Sequence, residues 1–403
     1  MKEESFDMKK IMIVGATHTQ VPLIRAAREL GYHTIVAGIR GNYPGIAEAD
    51  EACFVDIRDP EAVLKAAQEL QIDGIATCCM DMGVRSVGLV CERMGLCGLT
   101  EHAALLSNQK LAMKEAFAVG GVKSPAFRKV SSEADLKAAW DELPQPVILK
   151  AVDLQASRGI YVCRSYEELS SAFEAAMSLT RESFCIVEEF VKGIDIGAQA
   201  FVYHGEILFI LPHNDEVFVG SANKPIGHSS PLLADPAVVE ETKKQCELAI
   251  RAIGLDNCAV NIDLIKTDDG RIYMIELTGR VGATCLPELV SLYYGIDYYK
   301  MIVQMAMGED PRLIFNSRPG TVTPNASRFL MAPKNGVVEA IRCPVKGDDI
   351  ALMDIYAGPG DEVHVFEDGK DRIGQVVVTG ETLQDCFRRL DEISAALQVE
   401  YRA

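Results

Sequence analysis

Asp263 and Glu276 interrupt two apolar runs in "CAVNIDLIKTDDGRIYMIEL". The runs are joined by "TDDG", a combination that predicts a β-hairpin. Such a hairpin sets the two carboxylates opposite each other on one face. An unpaired carboxylate among apolar side chains is costly. A hard divalent cation with oxygen ligands satisfies both at once. The alternative is that each acid is salt-bridged, to Arg280 for instance, or points to solvent.

Two upstream stretches carry complementary chemistry. In "PVILKAVDLQASRGIYV", Lys150 ends a β-like run and precedes a loop with Ser157, Arg158 and Gly159. A lysine beside a small-residue loop suits the clamping of phosphate oxygens, with loop amides aimed at the anion; otherwise it is a lysine snorkelling from a half-exposed strand. In "CIVEEFVKGID", Glu188 and Glu189 end an apolar strand, and Phe190, Val191 and Gly193 form a short connector. The backbone of an extended connector offers the acceptor and donor that an adenine edge requires. Its other reading is an acidic surface turn.

These side chains need a scaffold to position them. The first hundred or so residues alternate short apolar runs ("KKIMIVGA", "HTIVAGI", "ACFVDI", "DGIATC") with amphipathic helical segments such as "PEAVLKAAQELQI". That alternation predicts a doubly wound parallel α/β sheet. Gly15 is the only glycine of its turn, so the GxGxxG pattern of nicotinamide binding is absent. From "SNQKLAMKEAF" onward the pattern becomes α+β, with strands "PVILKAVD", "GIYVCRS" and "FCIVEEFV" around the helix "SYEELSSAFEAAMSL". The run "IGAQAFVYHGEILFIL" and the helix "DPAVVEETKKQCELAIRAIG" precede the acid-bearing hairpin. After "SRPGTVTPN" the chain reads as a small strand-rich closing unit. The expected domains are 1–105 (parallel α/β), 106–192 and 193–315 (a two-part unit), and 316–403 (closing).

Composition narrows the partners. Forty Lys and Arg stand against 58 Asp and Glu among 403 residues, a net charge of −18. A field of that sign repels nucleic acid and anionic membrane, so neither is an expected partner. A polyphosphate would have to be held by local cations and metal. The twelve cysteines are scattered without CxxC or zinc-type spacing, as in a reducing compartment. The N-terminus lacks a signal-peptide core and no apolar run reaches spanning length. A cytoplasmic protein is the expectation.

In chain order, Lys110, "ILKAVDLQASRG", "VEEFVKGID", "NID" and "IELTGR" resemble the ATP-grasp ligases, a likeness that covers most of the chain. The resemblance implies a parallel α/β domain, the two-part grasp fold and a C-terminal unit. It implies ATP and Mg2+ (or Mn2+) as cofactors. Lys110 and Lys150 match the pair of lysines on the nucleotide phosphates, and Ser157 the hydroxyl of the phosphate lid. Glu188 with the backbone of Glu189 and Val191 is similar to the adenine hinge, and Asp195 to the ribose-binding acid. Asp263 and Glu276 match the metal ligands, and Arg280 the cation that steadies an acyl phosphate. Thr278 stands where the family commonly has an asparagine, a departure that bears on a second metal ion. Asn223, Lys224 and His228, in "HNDEVFVGSANKPIGHSSP", are candidate substrate or lid residues.

The implied reaction is ligation: a carboxylate is phosphorylated by ATP and an amine (or thiol) attacks the acyl phosphate, releasing ADP and phosphate. Small-molecule acid and amine substrates follow, and by the same resemblance a homodimer. A phosphotransferase with one acceptor, or a nucleotide-binding module without turnover, would share the nucleotide site.

Overall fold

The computed structural model describes residues 8–153, 159–218 and 224–402. Its first sheet is all parallel, in the order Glu51–Phe54, His33–Gly38, Lys10–Val14, Gly74–Ala76. Strand Lys10–Val14 is buried on both faces, which is why it reads as a continuous apolar run. Ile11 and Ile13 pack with Leu23, Ile24 and Met301, whereas Met12 and Val14 pack with Val63, Leu64 and Val87. Helix Pro60–Leu70 starts where the sequence places it, with Asp59 accepting the Ala62 N–H as its cap.

A second sheet is antiparallel: Phe127–Val130, Cys185–Glu189, Val147–Ala151, Ile160–Cys163. Helices Glu133–Glu142 and Tyr166–Leu179 back it, each started by a serine cap, Ser132 and Ser165.

The third sheet has eight strands, in the order Ile272–Thr278, Cys258–Lys266, Ile194–Tyr203, Glu206–Phe218, Lys224–Ser230, Asn325–Met331, Arg372–Thr379, Ile350–Ile355. Period-two alternation decides what each face carries. Ile196, Ala198, Val260, Ile262 and Leu264 bury against helix Pro236–Ile253. The intervening Gly197, Gln199, Asn261 and Asp263 therefore point to the opposite face, which is the working one. The run "IGAQAFVYHGEILFIL" is two strands, turned at His204 and Gly205, both at positive φ.

The closing segment is strand-rich and antiparallel, as its sequence suggests, and most of its strands extend the large sheet. Ser229 pairs with Ala326 and Ser230 with Asn325, so the boundary placed after residue 315 falls between strands of one continuous sheet. Only Glu362–Val363, Gly336–Arg342 and Gln398–Tyr401 form a small sheet apart. Among the described residues, no helix is long and apolar enough to cross a membrane.

Candidate active site

The acid-bearing hairpin pairs Asp263 with Glu276 and Asn261 with Thr278, followed by a bulge after Asp263. Directly opposed residues of an antiparallel pair share a face, so all four point into one cleft. Asn261 Nδ2 donates to Asp263 Oδ1 at 3.0 Å. Lys110, at the first turn of helix Lys110–Val119, brings Nζ to 3.3 Å from Glu276 Oε2. That lysine is the main reason Glu276 titrates below the ordinary range. Burial, with the charges of Glu276 and Asp215, pushes the Asp263 carboxyl up to about 8. Two carboxylates that cannot comfortably ionise together, with the Thr278 hydroxyl on the same face, fit a hard divalent cation.

The hinge holds the opposite imbalance. Lys150 Nζ lies 2.9 Å from Glu188 Oε2, and Lys114 Nζ lies 3.2 Å from Glu188 Oε1. All three residues are buried. Burial alone would raise the Glu188 pKa, but the two lysines bring it below the ordinary value. Burial lowers that of Lys114. Sequence reasoning missed Lys114, although it stands one helical turn after Lys110 and so shares its face. Glu188, assigned to adenine by resemblance, spends its carboxylate on the lysines. The connector after it is extended backbone, with the Phe190 N–H donating to Pro146 O. Asp195 faces Ile265 in the register, on the same side of the sheet as Gly197 and Asp263. Ser157 and Asn223 lie outside the described residues. Lys224 Nζ donates to the carbonyl of Glu367, tying it to the closing segment.

Arg280 leaves the acid-bearing strand and meets a partner from the segment that follows strand Gly74–Ala76 of the first sheet. Its Nε donates to Asp81 Oδ1 at 2.7 Å, and its Nη2 reaches the same oxygen. Asp81 opens the turn Asp81–Gly83, whose neighbourhood docks here: the Cys79 N–H donates to Val281 O at 3.1 Å. The sequence shows the arginine but not this acid, because 199 positions separate them.

Further along the same face lies a row that extends from Asn261. Gln199 Nε2 donates to Asn261 Oδ1 at 2.7 Å and stands 3.3 Å from His213 Nε2. His213 Nδ1 and His228 Nδ1 each lie 2.8 Å from Asp215 Oδ1. Thus His228, singled out from its loop, joins two residues that the sequence did not single out.

Residues 143–288 match the model of the ATP-grasp domain, and residues 328–402 that of L-amino acid ligase C-terminal domain 2. The crystal structure of phosphoribosylglycinamide synthetase from Anaerococcus prevotii is similar, with a TM-score of 0.87 and 40% identity, over 98% of this chain and 100% of that one. An L-amino acid ligase structure from Bacillus licheniformis shares the fold, with a TM-score of 0.83 and 17% identity, over 98% of this chain and 99% of that one. Alanine–anticapsin ligase of Bacillus subtilis (strain 168) is 24% identical over 383 residues, 85% of this chain and 80% of its own.

Proposed function

Because the chain belongs to the ATP-grasp family and is an ATP-dependent carboxylate–amine ligase, we propose that its acid substrate is an α-amino acid. The observation that carries this is the Asp81–Arg280 pair, which presents opposite charges side by side at the end of the metal-type strand. A guanidinium suits a carboxylate, and an aspartate suits an ammonium. The relatives' names agree in containing an amino acid: glycinamide, L-amino acid and alanine.

Mg2+ is the proposed ion, held by Asp263 and Glu276 with the Thr278 hydroxyl at hand. When bound, it neutralises phosphate charge during phosphoryl transfer. Lys110 and Lys150 then stand where ATP phosphates need cations, and the extended connector after Glu189 offers backbone groups to adenine. An anionic carboxylate approaches an anionic γ-phosphate, and Arg280 with the lysines offsets that repulsion. The carboxylate oxygen attacks phosphorus, ADP leaves, and an acyl phosphate forms. The amine nitrogen then attacks the acyl carbon and phosphate departs.

ATP, Mg2+ and a mixture of L-amino acids should give ADP, and added hydroxylamine should trap aminoacyl hydroxamates. Asp81→Asn should raise KM for the amino acid about 10–100-fold, the worth of about 1.5–3 kcal/mol for a charged hydrogen bond. Hydroxamates from acetate or succinate but from no amino acid would refute the substrate class.

A further inference from the structure

The row Gln199–His213–Asp215–His228 has a fixed proton arrangement. Gln199 Oε1 accepts the Gly282 N–H at 2.9 Å, while its Nε2 donates to Asn261 Oδ1, so the amide cannot be reversed. Its NH2 therefore faces the Ala198 carbonyl, at 3.2 Å, and His213 Nε2, which can meet an NH2 only as an acceptor. The proton of His213 is then on Nδ1 and goes to Asp215. Burial also keeps His213 below its ordinary pKa, hence neutral. The row is built tightly: a Cβ on Gly197 would collide with the His213 ring, and one on Gly282 with the Asn261 amide oxygen.

Asp215 is left as a carboxylate whose ion-pair partners, among the described residues, are the two histidines alone. His228 Nδ1 lies at hydrogen-bond distance from the same oxygen, which makes Nε2 its basic atom. Among the described residues none hydrogen-bonds to that Nε2. A buried negative charge without a cation favours taking up a proton close by. With His213 Nε2 facing the Gln199 amide, the Nε2 of His228 is the outer end of the row. The backbone N–H of His228 donates to Ser327 Oγ, and that hydroxyl donates to Thr284 O in the loop after Arg280. His228 is thus tied through Ser327 to the arginine loop, and through the row to Asn261 beside Asp263. Two imidazoles and a carboxylate with donor atoms within 4.8 Å of one another could also suggest a metal centre. Ligands need lone pairs, however, and here both Nδ1 atoms carry protons toward Asp215.

We infer that His228 is the base that deprotonates the attacking amine, with Asp215, His213 and Gln199 as positioning residues. This rests on the ligase reading above. The amine nitrogen forms the C–N bond, the C–O bond to phosphate breaks, and phosphate leaves with the electron pair. The displaced N–H proton moves to His228 Nε2, giving an imidazolium paired with Asp215, and passes on to water.

The test compares two nucleophiles in one assay of the full chain with ATP, Mg2+ and mixed L-amino acids. Amino-acid amines need a base at neutral pH, whereas hydroxylamine is already unprotonated. For His228→Gln, peptide formation should fall about 10²–10⁴-fold, while hydroxamate formation changes only a few-fold. Asp215→Asn should show the same split. Equal loss of both products, or undiminished peptide formation, overturns the inference. So does a zinc or nickel ion that co-purifies with the wild type and is missing from His228→Gln. If the wild-type chain forms no hydroxamate, the amino-acid reading fails instead.

Discussion

The hinge and the hairpin are built from the same few residue types with opposite balances. At the hinge, Lys114 and Lys150 enclose the single carboxylate of Glu188. On the hairpin, Asp263 and Glu276 face each other, and Lys110 pairs with Glu276. One region is left with surplus positive charge and the other with surplus negative charge. The difference matches the proposed function, in which the first serves phosphate oxygens and the second a divalent cation. The hinge also meets its own charges from within, so it should matter for folding, whereas the hairpin's charges should matter chiefly for turnover.

Glu188→Gln is the sharpest way to break this contrast. It leaves two lysines buried without an anion, and stability should fall by about 3–5 kcal/mol in urea unfolding. A loss below about 1 kcal/mol would mean that the triplet is not a structural element. Glu276→Ala should behave conversely. Turnover should drop about 10²–10³-fold or more, while stability moves by less than about 1 kcal/mol, since its partner pair is partly exposed. Unfolding of that variant would erase the distinction between the regions. The smallest effect is a pH dependence. With the Asp263 pKa raised to about 8 from an ordinary value of about 3.9, the folded chain holds a proton that the unfolded chain has lost. In EDTA, Tm should therefore fall as pH rises from about 4 to 8. Asp263→Asn should flatten that slope, and Mg2+ should counter it at the alkaline end.

Legibility in the sequence followed a physical rule. Asp263, Glu276 and Lys150 were visible because each interrupts an apolar run, where a charge is conspicuous. The parallel sheet of the first domain was visible because three of its four strands, all but Glu51–Phe54, are buried on both faces. Lys114 was hidden because a lysine on an amphipathic helix looks like solvated surface until its partner is known. Asp81 was hidden by its distance along the chain from Arg280, and the Gln199–His213–Asp215 row for a related reason. Polar residues alternating along a strand look alike whether they meet water or one another, and only the neighbouring strands decide. The turn at His204 and Gly205 lacks the Asn-Gly or Asp-Gly signal, so the two strands it joins read as one run.

The eight-stranded order carries a practical consequence. Strand Lys224–Ser230, which bears His228, is flanked on its far side by Asn325–Met331. Truncating the protein after the ATP-grasp match would strip away that neighbour and leave a raw, unprotected edge. Such a fragment would be prone to self-association, and His228 would lose the Ser327 hydroxyl that anchors its backbone. Efforts to isolate a minimal catalytic piece should therefore retain the tail.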